Sequence, residues 1–423
     1  MTPTSVFILQ ASDRGAPDLA ADFGAAGFTV RGSVDCAHLV RDTLRAAPDV
    51  VVCWAPRPVP ELLEAVATLQ AQQCTPLLFF TADSDVATMQ RALEAGVHAW
   101  VVQGYDARRL RPLVRMAQAR AAREQVLQAR IAQLDAQLQE RKWVDQAKGI
   151  LMRAQRLGED EAFRLLRTAS MQGQQRVGEL SRQVIAAARL AEAVNRAGQQ
   201  RMLSQRLVKL QALACAGTDP ASVALLLRGS MERVEENLAR LGATLAPETF
   251  GDLLAAAQAG WQAMRVVLEA PARGAALADL DRRAQDVLAQ ADALVLALES
   301  SGAASQVHVV NTAGRQRMLS QRVAKLALLR GLGLEAGEAA LAEAVAACEA
   351  GWRTLQASPL STPEIRDLLA RGSAQWGQLR GTLDQADTPA GRLQLAAASE
   401  DLLELCDRLT EACERSVAVL LGA

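Results

Sequence analysis

Two stretches of the chain are near-copies of one another, and both place arginines where a helix should be apolar. Asn195-Arg-Ala-Gly198-Gln-Gln-Arg201-Met202-Leu203-Ser204-Gln205-Arg206-Leu-Val-Lys209-Leu210 returns 116 residues later. The second copy is Asn311-Thr-Ala-Gly314-Arg315-Gln-Arg317-Met318-Leu319-Ser320-Gln321-Arg322-Val-Ala-Lys325-Leu326, with twelve of sixteen positions identical. At helical spacing Gly198, Arg201 and Gln205 share one face, as do Gly314, Arg317 and Gln321. Burying a guanidinium in an apolar stripe is costly unless something neutralises it. The residues just before each arginine offer no acid. A small oxyanion would fill that gap, since a planar guanidinium gives paired donors to planar oxygens and glycine one turn earlier clears the space. Carboxylates from elsewhere in the helical half are the alternative partners. Arg206, Arg315 and Arg322 form a second rank of candidates, and Ser204, Gln205, Ser320 and Gln321 could add hydrogen bonds. Lys209 and Lys325 are expected to face solvent.

A second constellation is basic. Residues 120–189 carry 13 basic and 8 acidic side chains in a chain whose net charge is −1, so this segment stands out electrostatically. Lys148 is one of four lysines in a background of 42 arginines. Leu151, Phe163, Leu165, Leu166, Val184 and Ile185 are expected to form a small core, leaving Lys148, Arg153, Arg167 and Arg176 for phosphates or base edges. Single-stranded RNA loops are read by such hydrogen bonds and by planar stacking. Gln146, Ser170 and Met171 join that candidate surface through the motif resemblance described next. Ala147, Gly149 and Met171 could instead serve helix packing.

Both constellations resemble known families. Gln146-Ala147-Lys148-Gly149-Ile150-Leu151-Met152, then Glu161-Ala162-Phe163, then Leu166-Arg167-Thr168-Ala169-Ser170-Met171 resemble the ANTAR family of bacterial transcription antiterminators, as in the nitrate regulatory type. That resemblance implies a three-helix unit binding leader mRNA hairpins. The repeated motif is similar to the nitrate- and nitrite-sensing domain family and to the type IV pilus chemotaxis transducer. It implies nitrate or nitrite as effector, held between two bundles with Arg201 and Arg317 as first ligands.

The elements that must position these residues are helices. Beyond residue 118 the pattern is helical, punctuated by glycine and proline, and it predicts two successive four-helix bundles over 190–303 and 304–423. Val126, Ile131, Leu134, Leu138 and Trp143 predict an apolar seam suited to a dimer stalk, or a linker helix packed on its own chain. The chain after Arg176 carries no proline or glycine through 186–192 before Gly198, which predicts one helix joining the two functional segments. Before residue 118, apolar runs at 6–9, 28–30, 50–53, 77–80 and 99–102 alternate with helical patterns, predicting a five-stranded, doubly wound parallel sheet.

This order resembles a response-regulator receiver. The family requires acids after strand one, a nucleophilic aspartate ending strand three and a lysine ending strand five. Here the matching positions are Gln10 and Ala11, Trp54 and Gln103, and Thr81 alone keeps the family type. Tryptophan accepts no phosphoryl group and neutral residues hold no Mg²⁺. A pseudo-receiver is therefore expected, with Asp13 or Asp83 as displaced acids in the alternative.

The expected architecture is thus α/β followed by all-α: a pseudo-receiver at 1–118, a stalk and ANTAR unit at 119–189, and a sensing double bundle at 190–423. Seven cysteines with no metal-like spacing and three histidines argue against a structural zinc site. No nucleophile–base pair or phosphate loop is visible, so neither enzyme activity nor a cofactor is expected. No signal or membrane segment appears, which predicts a cytoplasmic protein, plausible as a homodimer. The competing reading is a signalling adaptor whose helical half engages a partner protein without binding RNA.

Overall fold

The computed structural model describes residues 3–10, 16–34, 38–269, 274–301, 304–334, 338–358 and 362–420. Contacts divide the chain into two compact units, 1–139 and 140–423.

In the first unit five strands alternate with helices: β1 Ser5–Gln10, α1 Leu19–Ala25, β2 Thr29–Val34, α2 Leu39–Ala46, β3 Val50–Trp54, α3 Pro60–Gln72, β4 Leu77–Thr81, α4 Val86–Glu94 and β5 Ala99–Val102. The strands form one parallel sheet in the order β2-β1-β3-β4-β5. Its central strands read as nearly continuous apolar runs because helices cover both faces. Phe7, Leu9, Val51, Cys53 and Phe79 fill one side, and Val6, Ile8, Val52, Leu78 and Phe80 the other. The switch point between β1 and β3 lies where a phosphorylation site would be. Gln10 pairs in register with Trp54 there. Trp54 stands edge-on to Tyr105, their ring centroids 5.7 Å apart, and Tyr105 meets Phe80 at 5.1 Å. Thr81 Oγ1 donates to the Pro56 carbonyl, and Gln103 takes a left-handed φ of 46°. The place of an aspartate and its metal is filled by an aromatic cluster. Asp83 accepts from the Asp85 amide in a turn. Ala11 and Asp13 lie outside the described residues.

α5, Leu110–Gln155, starts in the first unit and ends in the second. Its stretch from Val126 to Leu138 leaves Val126, Leu127, Ile131, Leu134 and Leu138 all more than 40% exposed. The regular seam is Leu127, Ile131, Leu134 and Leu138, spaced 4-3-4, so Leu127 replaces the expected Val126 in the heptad register. Trp143 does not belong to this seam. It is partly buried against the next core, with the Arg182 guanidinium 4.6 Å above its ring.

In the second unit the end of α5 packs with α6 Glu159–Gln172 and the start of α7 Val177–Cys215. Ala147, Leu151, Ala162, Leu166, Ala169, Leu180, Val184 and Ile185 form their core. Phe163, expected inside, is 40% exposed on the outer face of α6. The three acids at the start of α6 favour the positive end of its dipole, and Glu161 Oε2 accepts from the Gly158 amide. α7 then continues unbroken for 39 residues through the first repeat motif, as the absence of helix breakers predicted.

The remaining helices are α8 Pro220–Thr244, α9 Pro247–Leu268, α10 Gly274–Ser300, α11 Ala304–Gly331, α12 Glu338–Gln356, α13 Pro363–Gly381 and α14 Pro389–Leu420. They make two four-helix bundles, α7–α10 and α11–α14, fused through one continuous apolar core. The seam of the fusion is the packing of α7 on α11, with α10 and α14 flanking it. Among the described residues no helix is long and apolar enough to cross a membrane.

Exposure to acetyl phosphate and Mg²⁺ is expected to leave the intact mass of the chain unchanged. A stoichiometric acid-labile phosphoryl adduct within 1–118 would contradict the aromatic replacement of the acceptor site.

Candidate functional site

The two repeat motifs face each other across the α7–α11 seam. Gly198 and Gly314 let the arginine planes approach. A Cβ on Gly198 would stand 3.2 Å from Arg201 Nη2 and 3.6 Å from Arg317 Nη2, and one on Gly314 at 3.9 and 3.1 Å. Two like-charged, almost fully buried guanidiniums therefore share one small space. Burial depresses the Arg201 pKa; Asp292 opposes this, while the nearby positive charge of Arg317 adds to it.

The structure corrects the expectation that these arginines lack acids. Arg201 Nη1 donates to Asp292 Oδ1 on α10 at 2.9 Å, and Arg317 Nη1 donates to Asp407 Oδ1 on α14 at 2.8 Å. The acids were invisible locally because each lies some 90 residues away in sequence. The Nη2 atoms cross over between copies: Arg201 donates to Asn311 Oδ1 and Arg317 to Asn195 Oδ1, both at 2.7 Å. Those asparagines open each repeat, and their identity in both copies was the sequence signal for this role. The Nε atoms of Arg201 and Arg317 are buried donors with no partner among the described residues. A buried donor left unpaired is costly and invites an acceptor.

The second-rank residues do not join this centre. Arg206 makes a bidentate pair with Glu400, and its Nη1 donates to Ser230 Oγ at 3.0 Å. Ser204 and Ser320 hydroxyls donate back to the Arg201 and Arg317 carbonyls, so neither is free for a ligand. Gln205 Oε1 accepts from Lys325 Nζ at 2.7 Å. Gln321 Nε2 donates to the Ser399 carbonyl. Arg315 is exposed, and Arg322 is partly buried with an unpartnered Nε.

Lys209 and Lys325 are fully buried, contrary to the expectation of solvated lysines. Lys209 donates to Ser399 Oγ at 2.8 Å and Glu400 Oε1 at 2.6 Å, and Lys325 pairs with Asp281 at 2.5 Å. Burial pulls the Lys209 pKa down to about 8 against the attraction of Glu400. For Glu400 burial pushes upward, but Lys209 and Arg206 outweigh it and hold the carboxyl at about 2.

The RNA candidates divide between surfaces. Arg167 is exposed and Met171 is 70% exposed, so Met171 is not a core residue. With Phe163 they form a stripe at i, i+4, i+8 on α6, which the sequence reading missed by placing Phe163 inside. Arg176 is exposed just before α7. Ala147 is buried in the helical core, and buried Ser170 donates to the Arg167 carbonyl, so both are corrected to packing roles. Lys148 is not free: its ammonium meets Asp145 at 2.8 Å and Glu159 at 2.7 Å, which together raise its pKa. Gln146 and Arg153 line a separate cleft of about 510 Å³, walled by α7 and by Glu414 and Arg415 of α14.

In the first unit, Cys74, His98 and Glu124 bring three ligand-type atoms within 4.8 Å. His98 Nδ1 accepts from the Leu77 amide at 3.2 Å, which leaves the proton on Nε2, the atom facing Cys74 and Glu124. That tautomer does not fit a metal. The group ties α5 to the sheet, together with Arg120 Nη1 donating to the His98 carbonyl.

Comparison with known proteins follows the same division. Residues 132–185 match the ANTAR domain family. Residues 186–297 and 298–405 each match the family described as type IV pili methyl-accepting chemotaxis transducer, N-terminal. The chain is 28% identical over 124 residues to the transcriptional regulatory protein PdtaR of Mycobacterium tuberculosis (strain H37Rv), covering 29% of this chain and 60% of that protein. It is 35% identical over 106 residues to the methyl-accepting chemotaxis protein McpN of Pseudomonas aeruginosa, covering 24% of this chain and 20% of McpN. The chain thus spans less than two thirds of either relative. Solved structures similar to it include the receiver domain of a modulated diguanylate cyclase from Desulfovibrio desulfuricans G20 (23% identity, 29% of this chain and 98% of that one, TM-score 0.26). Another is CheY4 of Vibrio cholerae (19% identity, 27% and 98%, TM-score 0.25).

The buried Glu400 cluster sets an acid limb on stability. A carboxyl with a lowered folded pKa contributes stability above its ordinary value of 4.5 and loses it as pH falls toward 2. The melting temperature of Glu400→Gln is expected to fall less steeply over that range than wild type. Glu400→Ala strands two cations, and a loss of about 3–5 kcal/mol is expected in denaturant titration.

Proposed function

From a chain that belongs over residues 186–297 and 298–405 to the type IV pili methyl-accepting chemotaxis transducer family, with an ANTAR domain before it, we infer an RNA-binding regulator of transcription antitermination. Its effector in this reading is a small planar oxyanion, nitrate or nitrite, received at the Arg201–Arg317 pair. The observation that carries the reading is α7, a single helix that is both the third helix of the RNA module and the bearer of Arg201. A change in packing at the repeat motif has no hinge in which to dissipate before it reaches the RNA module.

The oxyanion reading is supported by two buried Nε donors, without partners among the described residues, on two positively charged side chains. The aspartates already balance those charges, so an entering anion must compete with Asp292, Asp407 or the asparagine oxygens. Rearrangement on binding is the consequence. The RNA reading is supported by the Phe163–Arg167–Met171 stripe, which offers a ring for base stacking beside a guanidinium. Such a regulator acts on nascent leader hairpins and therefore works in the cytoplasm. The pseudo-receiver and stalk serve assembly, with the Leu127–Leu138 seam pairing with a second copy. Ile131 at one core position and leucines at the others suit two parallel strands.

Calorimetric titration with nitrate, nitrite, sulfate and chloride is expected to give saturable binding for nitrate or nitrite, lost in Arg201→Ala and Arg317→Ala. No saturable heat with any of the four would sink the oxyanion reading. In gel shifts with two-hairpin leader RNA, Arg167→Ala is expected to weaken binding and lower the salt slope by about one. Failure of the wild-type chain to shift such RNA favours the adaptor reading.

The stalk has its own check. Sedimentation should give a dimer for the full chain and a monomer for Leu134→Asp; a monomeric wild type would remove the coiled-coil pairing.

A further inference from the structure

The two arginines are related by the repeat, but their surroundings are not equivalent. Asn195 accepts from Arg317 through both its side-chain oxygen, at 2.7 Å, and its backbone carbonyl, at 3.4 Å. Its amide nitrogen then donates to Glu414 Oε2 at 2.6 Å. Glu414 is a largely buried carboxyl whose pKa burial raises, against the hydrogen bond from Asn195. It also forms part of the wall of the 510 Å³ cleft, opposite Gln146, Gly149 and Arg153 of the RNA module. Hydrogen bonds thus run from Arg317 through Asn195 to Glu414, and Glu414 faces a cleft that the RNA module also lines.

The other copy has no such exit. Glu299 follows Asp292 by the same seven residues that separate Glu414 from Asp407. Asn311 accepts from Arg201 as Asn195 does from Arg317. Among the described residues, however, Asn311 makes no bond to Glu299. Glu299 Oε1 is buried without a hydrogen-bond partner, with His308 Nδ1 3.6 Å away. The repeat gives two related arginines, and among the described residues only the second one's hydrogen bonds lead to the cleft that α5 lines.

We propose that Asn195 and Glu414 are the positioning residues that convey oxyanion binding at Arg317 to the α5–α7–α14 cleft. This rests on the oxyanion reading above. An oxyanion that takes Arg317 Nη2 displaces the Asn195 oxygen. The freed amide turns, and Glu414 loses the donor that holds it. The cleft supplies replacement donors in Arg153, Arg189 and Arg415, which also line it. Glu414 moves toward them, and Arg153, an exposed candidate for RNA contact, changes the charge it presents. Coupling is reciprocal, so a polyanion engaging Arg153 alters the hold of Asn195 on Arg317.

The test uses the full chain and sodium nitrate, with calorimetry for binding and hydrogen–deuterium exchange of residues 145–155 for the response. Nitrate is expected to change exchange there by several-fold in wild type. Glu414→Ala should bind nitrate within about threefold of wild type and lose that response. Glu414→Gln, which keeps an oxygen to accept from Asn195, should retain it, and Glu299→Ala should leave it intact. A response that persists in Glu414→Ala, or vanishes equally in Glu299→Ala, overturns the relay while the oxyanion reading stands. Absence of nitrate binding by the wild type overturns both.

Discussion

The helical half is organised by the burial of positive charge. Arg201, Arg317, Lys209 and Lys325 all sit within the fused core of two bundles, where an unpaired cation would be prohibitive. Each is matched by a carboxylate from α10 or α14. That requirement fixes how the eight helices associate. α7 and α11 must lie side by side so that asparagine of one copy can meet arginine of the other, and α10 and α14 must flank them to supply acids. Apolar packing alone would tolerate many rotations of these helices, whereas the crossed Arg–Asn bonds accept one.

Such a centre is well placed to respond to a ligand. Its charges balance only through long-range partners, the two Nε donors have no partner among the described residues, and two guanidiniums repel across a pair of glycines. The bonds at this centre tie α7, α10, α11 and α14 to one another, and packed cores move between discrete arrangements more readily than they deform. α7 continues without a break from the three-helix unit it shares with α5 and α6 into this centre. The N-terminal sheet holds no comparable buried charged centre among its described residues. Aromatic packing at Trp54, Phe80 and Tyr105 takes its place, and of the described matching positions Gln10, Trp54, Thr81 and Gln103, Thr81 alone keeps the type that phosphoryl chemistry uses.

Much of this was legible from residue order. Apolar runs separated by helical patterns located all five strands, because a sheet covered on both faces needs continuous apolar strands. The lack of proline and glycine through 186–192 and up to Gly198 foretold the shared helix. The misjudgements had a common source. Phe163 was placed inside because it is apolar, yet the small core beside it is already filled by Leu166 and Ala162. Lys148 was read as a free cation, although Glu159, eleven residues on, folds back to meet it. Lys209 and Lys325 were assigned to solvent, yet Glu400 and Asp281 meet them inside the core from 191 and 44 residues away.

The sequence by itself determined the periodic features: strand runs, helix lengths, the duplication, and the glycine that stands one turn before each buried arginine. Those depend on neighbours within a turn or two, where spacing dictates direction. Only the tertiary structure decided which charges meet. Asp292, Asp407, Glu400 and Asp281 reach their cations across 44 to 191 residues of chain. Coulomb attraction and hydrogen bonding depend on separation in space, and folding brings together residues whose order along the chain carries no record of it.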